Sequence, residues 1–234
     1  MNKKTNIKKQ IDYFLKGKGK SNGRYPNERY CSFDFCYNYF YSFYEKNKIR
    51  EISNKENMQM SCLQLGFYLA SWGMMRGSSF LLQKSVKNFS NLIKFISDQD
   101  KTLWKIDVPN YNKDKNVSIL LKTKESIKEV LGKDNRPSDT LVTKIMLGVF
   151  GNVPAFDKYF KESMKVNSLN KKSLSKIYDF YLDNKEVIDP CNFQTYDFNT
   201  AKETKNIFYT KAKIIDMYAF MDGQNKNKIV KNDK

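Results

Sequence analysis

The stretch SDTLVTKIMLGVFGNVPAFDKYF (138–160) decides the fold predicted for this chain. Ser138 is a good helix N-cap, and apolar residues recur at helical spacing up to the first glycine. Gly148 and Gly151 then predict a tight turn, and Pro154 opens a second helix. Such a turn presents backbone N–H groups at a helix start, a place that suits an anion such as a phosphate. The stretch therefore predicts a helix pair with an anion site between its members.

Helical periodicity continues on both sides of this pair, and no convincing pair of strands is found. The further predicted helices cover residues 6–16, 30–46, 57–73, 79–96, 117–131, 171–184 and 200–221. Residues 98–116 are polar and predict a connecting loop. The strongly apolar segment 57–73 is expected to be the central, almost completely buried helix. The sequence thus predicts an all-α fold with a single globular multi-helix domain over residues 25–222.

The aromatic segment 30–46 allows two interpretations. Its rings alternate as a strand would, but its length without a turn signal favours a helix. The rings are either part of the core or a platform on which nucleobases stack.

Charge is concentrated at the two ends of a chain whose formal net charge is +17. Residues 1–24 carry +7, residues 223–234 carry +3, and the rest carries +7. We expect a basic N-terminal segment (1–24) and a flexible basic tail (223–234), either of which could lie along a polyanion. Lys18 and Lys20 belong to the glycine-rich connector 17–24. The alternative is that a lysine-rich composition reflects only an A/T-rich genome and that these lysines are solvated.

Histidine is absent, and the four cysteines lack the paired spacing of a zinc site. The sequence therefore excludes hydrolases that use an imidazole base, and no metal or cofactor is expected. No apolar run is long enough to span a membrane, and no signal-peptide core is recognised. A cytoplasmic protein with reduced thiols and no membrane partner is expected.

Residues 147–155 (LGVFGNVPA) resemble the helix-hairpin-helix element of DNA-binding proteins and, more loosely, the helical DNA glycosylases built around it. Gly151 and Ala155 keep the family spacing, whereas the first glycine is displaced to Gly148. Val153 stands where some glycosylases carry a lysine, so a lyase-type lysine is not implied. The resemblance implies phosphate contacts at Gly148, Gly151 and Asn152.

Two longer phrases, YLASWGMMRGSSFLLQ (68–83) and KAKIIDMYAF (211–220), resemble a bacterial family without an assigned activity. That resemblance indicates a bacterial, cytoplasmic setting.

A second anion site is predicted where the apolar helices break. Arg76 is one of five arginines, and with Ser78 and Ser79 it could form a compact cup for a phosphate. Alternatively, Arg76 pairs with a carboxylate at the edge of the core and Ser78 merely caps the next helix.

Two acids are candidate catalytic residues. Asp216 lies in an apolar stretch, where a carboxylate needs a partner, and Asp157 lies close to the glycine turn. The structural alternatives are a buried ion pair or a solvent-facing position for Asp216, and a first-turn helix acid for Asp157.

These observations predict a nucleic-acid-binding protein that contacts the phosphate backbone, with DNA favoured over RNA. An aspartate-assisted, DNA glycosylase-like excision of a base is compatible with the missing histidine. The alternative is a non-enzymatic protein-interaction or regulatory module, with the aromatic helix as the partner groove.

Overall fold

The computed structural model describes residues 3–19 and 22–232, in which eleven α-helices and one two-stranded hairpin follow one another. The helices are α1 (Lys3–Lys16), α2 (Ser32–Glu45), α3 (Lys55–Ser71), α4 (Ser90–Ser97), α5 (Thr102–Lys105), α6 (Asp114–Val130), α7 (Asp139–Phe150), α8 (Lys158–Met164), α9 (Lys171–Asp183), α10 (Lys185–Ile188) and α11 (Lys211–Asn232). The strands β1 (Gln194–Tyr196) and β2 (Glu203–Phe208) pair antiparallel. The predicted all-α class is confirmed, with this hairpin as the exception.

Helix α7 is the centre of the molecule. Every residue from Leu141 to Phe150 is buried, and α2, α3 and α6 pack against this helix. The expectation that 57–73 is the central helix was wrong, because α3 buries one face and leaves Leu63 and Phe67 exposed. Helix α2 forms as the helical interpretation predicted, and Phe33, Tyr37 and Phe40 are core residues.

Both ends of the chain contribute to the packed body. Helix α1 packs along α11 and buries Ile7, Ile11 and Phe14 completely or almost completely. Residues 4–16 are therefore not a loose basic arm, although their lysines face outward. Helix α11 also continues through Gly223, where the flexible tail was expected to begin.

Two segments differ from the predicted helix and loop. The region predicted as one helix over 79–96 is divided into short 3-10 turns and α4, because Lys84 and Ser85 have extended backbone. The predicted loop 98–116 contains α5, a 3-10 turn over Val108–Asn110 and the start of α6. In both segments, the apolar positions reach the core from several short elements.

The hairpin replaces the first part of the helix predicted over 200–221, and buried charges attach it to α2. Asp34 accepts hydrogen bonds from the Arg24 guanidinium at 3.0 Å, from the Tyr196 N–H at 2.8 Å and from the Tyr209 hydroxyl. Arg24 also donates to the carbonyl of Gln194 at 2.6 Å. Burial raises the pKa of Asp34, and the charge of Arg24 opposes that shift. The hairpin is thus fixed by contacts with residues more than 150 positions away.

Among the described residues, no helix combines the length and apolarity required to cross a bilayer.

Candidate functional site

The glycine turn predicted to hold a phosphate is buried. Gly148 lies inside α7, where the ring of Tyr68 occupies the space that a side chain would need. Gly151 ends the helix with a left-handed backbone (φ 66°), and Asn152 is fully buried. The Asn152 side-chain amide donates to the carbonyl of Leu103 at 3.2 Å. The predicted phosphate contacts at these three residues are therefore wrong for this structure, because solvent does not reach the turn.

The N–H groups of the segment that follows bond inside the protein. The N–H of Ala155 donates to Asp216 at 3.0 Å, and the N–H of Phe156 donates to the Thr143 hydroxyl at 2.8 Å. Pro154 does not open a helix, since α8 begins only at Lys158. The expected pair of helices around an anion-binding turn is instead one central helix followed by a buried, extended link.

Asp216 is part of this internal support. It is 6% exposed, and its second carboxylate oxygen lies 3.0 Å from the ammonium nitrogen of Lys213, which is 1% exposed. The Lys213 ammonium also lies over the rings of Phe14 and Phe33 at 4.7 and 4.5 Å. Because both carboxylate oxygens have partners and the residue is buried, we assign Asp216 to the buried ion pair and not to catalysis.

Asp157 is the N-cap of α8 and not the first-turn acid of a helix opened by Pro154. Its side chain caps α8 by accepting from the Phe160 N–H at 3.0 Å, and its other oxygen lies 3.5 Å from the ammonium of Lys144. The residue is half-buried and lines an open pocket. Asp157 is therefore a capping residue that also borders a space available to a ligand.

This space, which we name the basic pocket, has a volume of about 500 Å³. It lies where the end of α3, the start of α7, the start of α8 and α11 meet. Its wall carries one carboxylate and an excess of positive charge. The charged and aromatic residues of its lining are Arg29, Trp72, Arg76, Lys144, Asp157, Lys158, Tyr159 and Phe220. Four cations against one carboxylate make the pocket attractive to an anion.

Trp72 forms the aromatic wall of the basic pocket. Its ring lies 4.9 Å from the Lys144 ammonium and 5.3 Å from the Arg29 guanidinium. Tyr30 stacks on the same indole at 5.5 Å, and the edge of Phe220 contacts it at 5.5 Å. The indole thus lies between core rings and two cations, of which Lys144 is itself buried.

Lys144 is the least usual of these cations, because it is only 3% exposed. Burial lowers its pKa, and the nearby carboxylates of Asp157 and Asp216 act in the opposite direction. A lysine in this environment holds its proton less firmly than a surface lysine does. An anion bound in the pocket would favour the protonated, charged form of Lys144.

Arg76 extends over the rim of the pocket. Its guanidinium folds over Gly73, where a β-carbon would lie 2.7 Å from the Arg76 Nε atom. In the described part of the chain no carboxylate pairs with Arg76, so the alternative of a structural ion pair has no support. The predicted cup is not formed, because neither serine lines the pocket beside Arg76. Ser78 is exposed outside the pocket lining, and Ser79 caps the next turn through the Leu81 N–H at 3.3 Å.

Of the two connector lysines predicted to bind nucleic acid, Lys18 is among the described residues. Lys18 is exposed, donates to the Asn225 side chain at 3.0 Å and lies over the Tyr13 ring at 4.2 Å. It does not line the basic pocket. Lys20 lies outside the described residues.

Arg29, Trp72, Lys144 and Lys158 were not singled out from the sequence. Lys144 did carry a signal, since it interrupts the apolar run of α7 as Asp216 interrupts that of α11. Arg29, Trp72 and Lys158 carry no such signal, because they come from separate parts of the chain and meet only at the pocket.

No three Cys, Asp or Glu side chains in the described ranges converge in a way that would hold a metal ion. Comparison with protein-family models, curated proteins and solved structures found no match.

Proposed function

We propose that the protein binds the phosphate backbone of nucleic acid at the basic pocket. The observation that carries the proposal is the convergence of Arg29, Arg76, Lys144 and Lys158 on one cavity whose lining holds a single carboxylate, Asp157. Guanidinium groups bind phosphate oxygens through paired N–H donors, and Arg76 has no competing carboxylate in the described structure. The glycine turn, which is buried, is not part of the proposed binding site.

Salt dependence is the first test of this function. Phosphate binding releases counterions, so the logarithm of the affinity falls linearly with the logarithm of salt concentration. Fluorescence anisotropy of a labelled oligonucleotide, titrated at several salt concentrations, measures both the affinity and this slope. Affinity that does not change with salt would contradict the proposal.

Arg76→Gln tests the site itself. We expect about a tenfold loss of affinity, because a hydrogen bond to a charged group contributes roughly 1.5 kcal/mol. The salt slope should fall by about one unit. Arg50→Gln is the matched control, since it removes the same charge from an exposed arginine that pairs with Asp98 and does not line the pocket. Equal losses in both variants would mean that binding follows net charge and not the pocket.

The enzymatic form of this proposal is base excision, with Asp157 as the single candidate for the catalytic acid. Asp157 is the one predicted catalytic acid that borders the pocket, and an extruded base would have to enter this pocket to reach it. Asp157→Asn should abolish the formation of abasic sites while oligonucleotide binding persists. The Asn side chain can still accept the Phe160 N–H, so the cap of α8 remains. Unchanged activity in Asp157→Asn would show that Asp157 is not the catalytic acid. Absence of base excision by the native protein would limit the function to binding.

A further inference from the structure

A second cavity, which we name the aromatic groove, lies beside the basic pocket. It has a volume of about 450 Å³ and is lined mainly by apolar side chains, including those of Phe35, Leu63, Phe67 and Phe198. Glu28 also lines it and accepts a hydrogen bond from the Asn22 side chain at 2.8 Å. The groove has no role in the fold or in the function proposed above.

Two phenylalanine side chains of this groove are unusually exposed. Phe67 is 68% exposed and Phe198 is 72% exposed. The ring of Phe198 contacts the edge of Phe35, with ring centroids 5.1 Å apart, so it is supported on one side and open on the other. A cluster of exposed, supported aromatic rings marks a surface that a partner covers.

The groove and the basic pocket form one continuous surface. Arg29 lines both of them. Along α3, Leu63 and Phe67 in the groove and Ser71 in the pocket follow one another at a spacing of four residues and therefore share one helix face. Eight residues of helix correspond to about 12 Å, so a single short ligand can occupy both cavities.

We infer that the ligand of this surface is single-stranded nucleic acid, with bases on the aromatic groove and phosphates in the basic pocket. The inference rests on the proposed function and specifies its substrate class. A positively charged track beside exposed aromatic rings is the arrangement that binds single strands, because every base has a face that stacks. A duplex keeps its bases paired inside and presents only phosphates and groove edges, so it would leave Phe67 and Phe198 uncovered.

The test uses the full chain and three labelled probes. These are a 12-nucleotide oligothymidine, a strand of 12 abasic spacers with the same number of phosphates, and a 12-base-pair duplex, which carries more phosphates than either strand. Anisotropy titrations should give an affinity for the oligothymidine that is about fivefold or more above that for the other two probes. Phe67→Ala or Phe198→Ala should remove this preference while the affinity for the abasic strand stays unchanged.

Phe208→Ala is the control, because Phe208 is 45% exposed on β2 and does not line the groove. It should leave all three affinities unchanged, and circular dichroism melting of each variant verifies folding. Equal affinity for the three probes, or unchanged binding in both groove variants, overturns the inference but leaves phosphate binding at the pocket intact. Failure of every probe to bind, or binding that Arg76→Gln does not weaken, would instead refute the proposed function itself.

Discussion

Gly148→Ala separates two roles for this glycine that predict different results. If Gly148 belonged to a phosphate-binding turn, the substitution would weaken nucleic-acid binding and leave stability nearly unchanged. In the structure, Gly148 is inside α7 and faces the ring of Tyr68, which is 2% exposed. The substitution should therefore reduce stability and leave the affinity of the folded protein unchanged.

The size of the effect follows from two opposing contributions. Alanine stabilises a helix interior by about 1 kcal/mol relative to glycine. The added β-carbon, however, would lie 2.8 Å from the Tyr68 Cδ1 atom and 3.1 Å from its Cζ atom. Carbon atoms pack best at roughly 3.5–4.0 Å, and overpacking a core costs about 1–3 kcal/mol. Because the ring is fully enclosed, we take the upper end and expect a net loss of about 2 kcal/mol.

Urea denaturation of the wild type, Gly148→Ala, Tyr68→Leu and the double variant measures this loss and its cause. Removing the ring makes room for the methyl group, so the double variant should be more stable than the sum of the single effects predicts, by about 1–3 kcal/mol. Thermal unfolding of Gly148→Ala should shift by roughly 4–8 °C for a chain of this size. A stability equal to or above that of the wild type would refute the packing argument.

Two further predictions concern the buried charges. Arg24→Met leaves the carboxylate of Asp34 in the core without its cation, so the free energy of unfolding should fall by about 3–5 kcal/mol. Adding Asp34→Asn should recover part of this loss, and urea titrations measure both effects. Because burial lowers the pKa of Lys144, its charge is lost at a lower pH than that of a surface lysine. Oligonucleotide affinity should therefore begin to decrease at a pH at which surface lysines are still charged. Lys144→Met should bind more weakly but with less dependence on pH, and parallel pH profiles of the two proteins would exclude Lys144 from the site.

The helical class and most helices could be predicted from the sequence because their signals are local. Helix α9 occupies Lys171–Asp183, close to the predicted 171–184, and α6 ends beside Gly132, whose backbone is left-handed (φ 91°). Apolar spacing and glycine termination act within a few residues, so no distant partner is needed to recognise them.

The hairpin could not be predicted in this way. Strand β2 is mostly exposed and lacks clear alternation between apolar and polar residues. It forms where Arg24, Asp34 and Asn38 bind the backbone of β1, with Asn38 donating to the carbonyl of Tyr196 at 2.8 Å. These contacts join residues that are far apart in the chain, so they exist only after the helices have packed.

What the sequence determined by itself was the helical content, the positive charge and the exclusion of imidazole chemistry, since all three depend on composition and short-range spacing. Only the tertiary structure decided which charges are accessible. The glycine turn became buried because α2 and α3 cover it, and Asp216 because the link after α7 bonds to it. Arg29, Arg76 and Lys158, by contrast, were brought to one pocket from three separate segments. Burial and convergence are properties of the packed helices, and neither is encoded in the local spacing of residues.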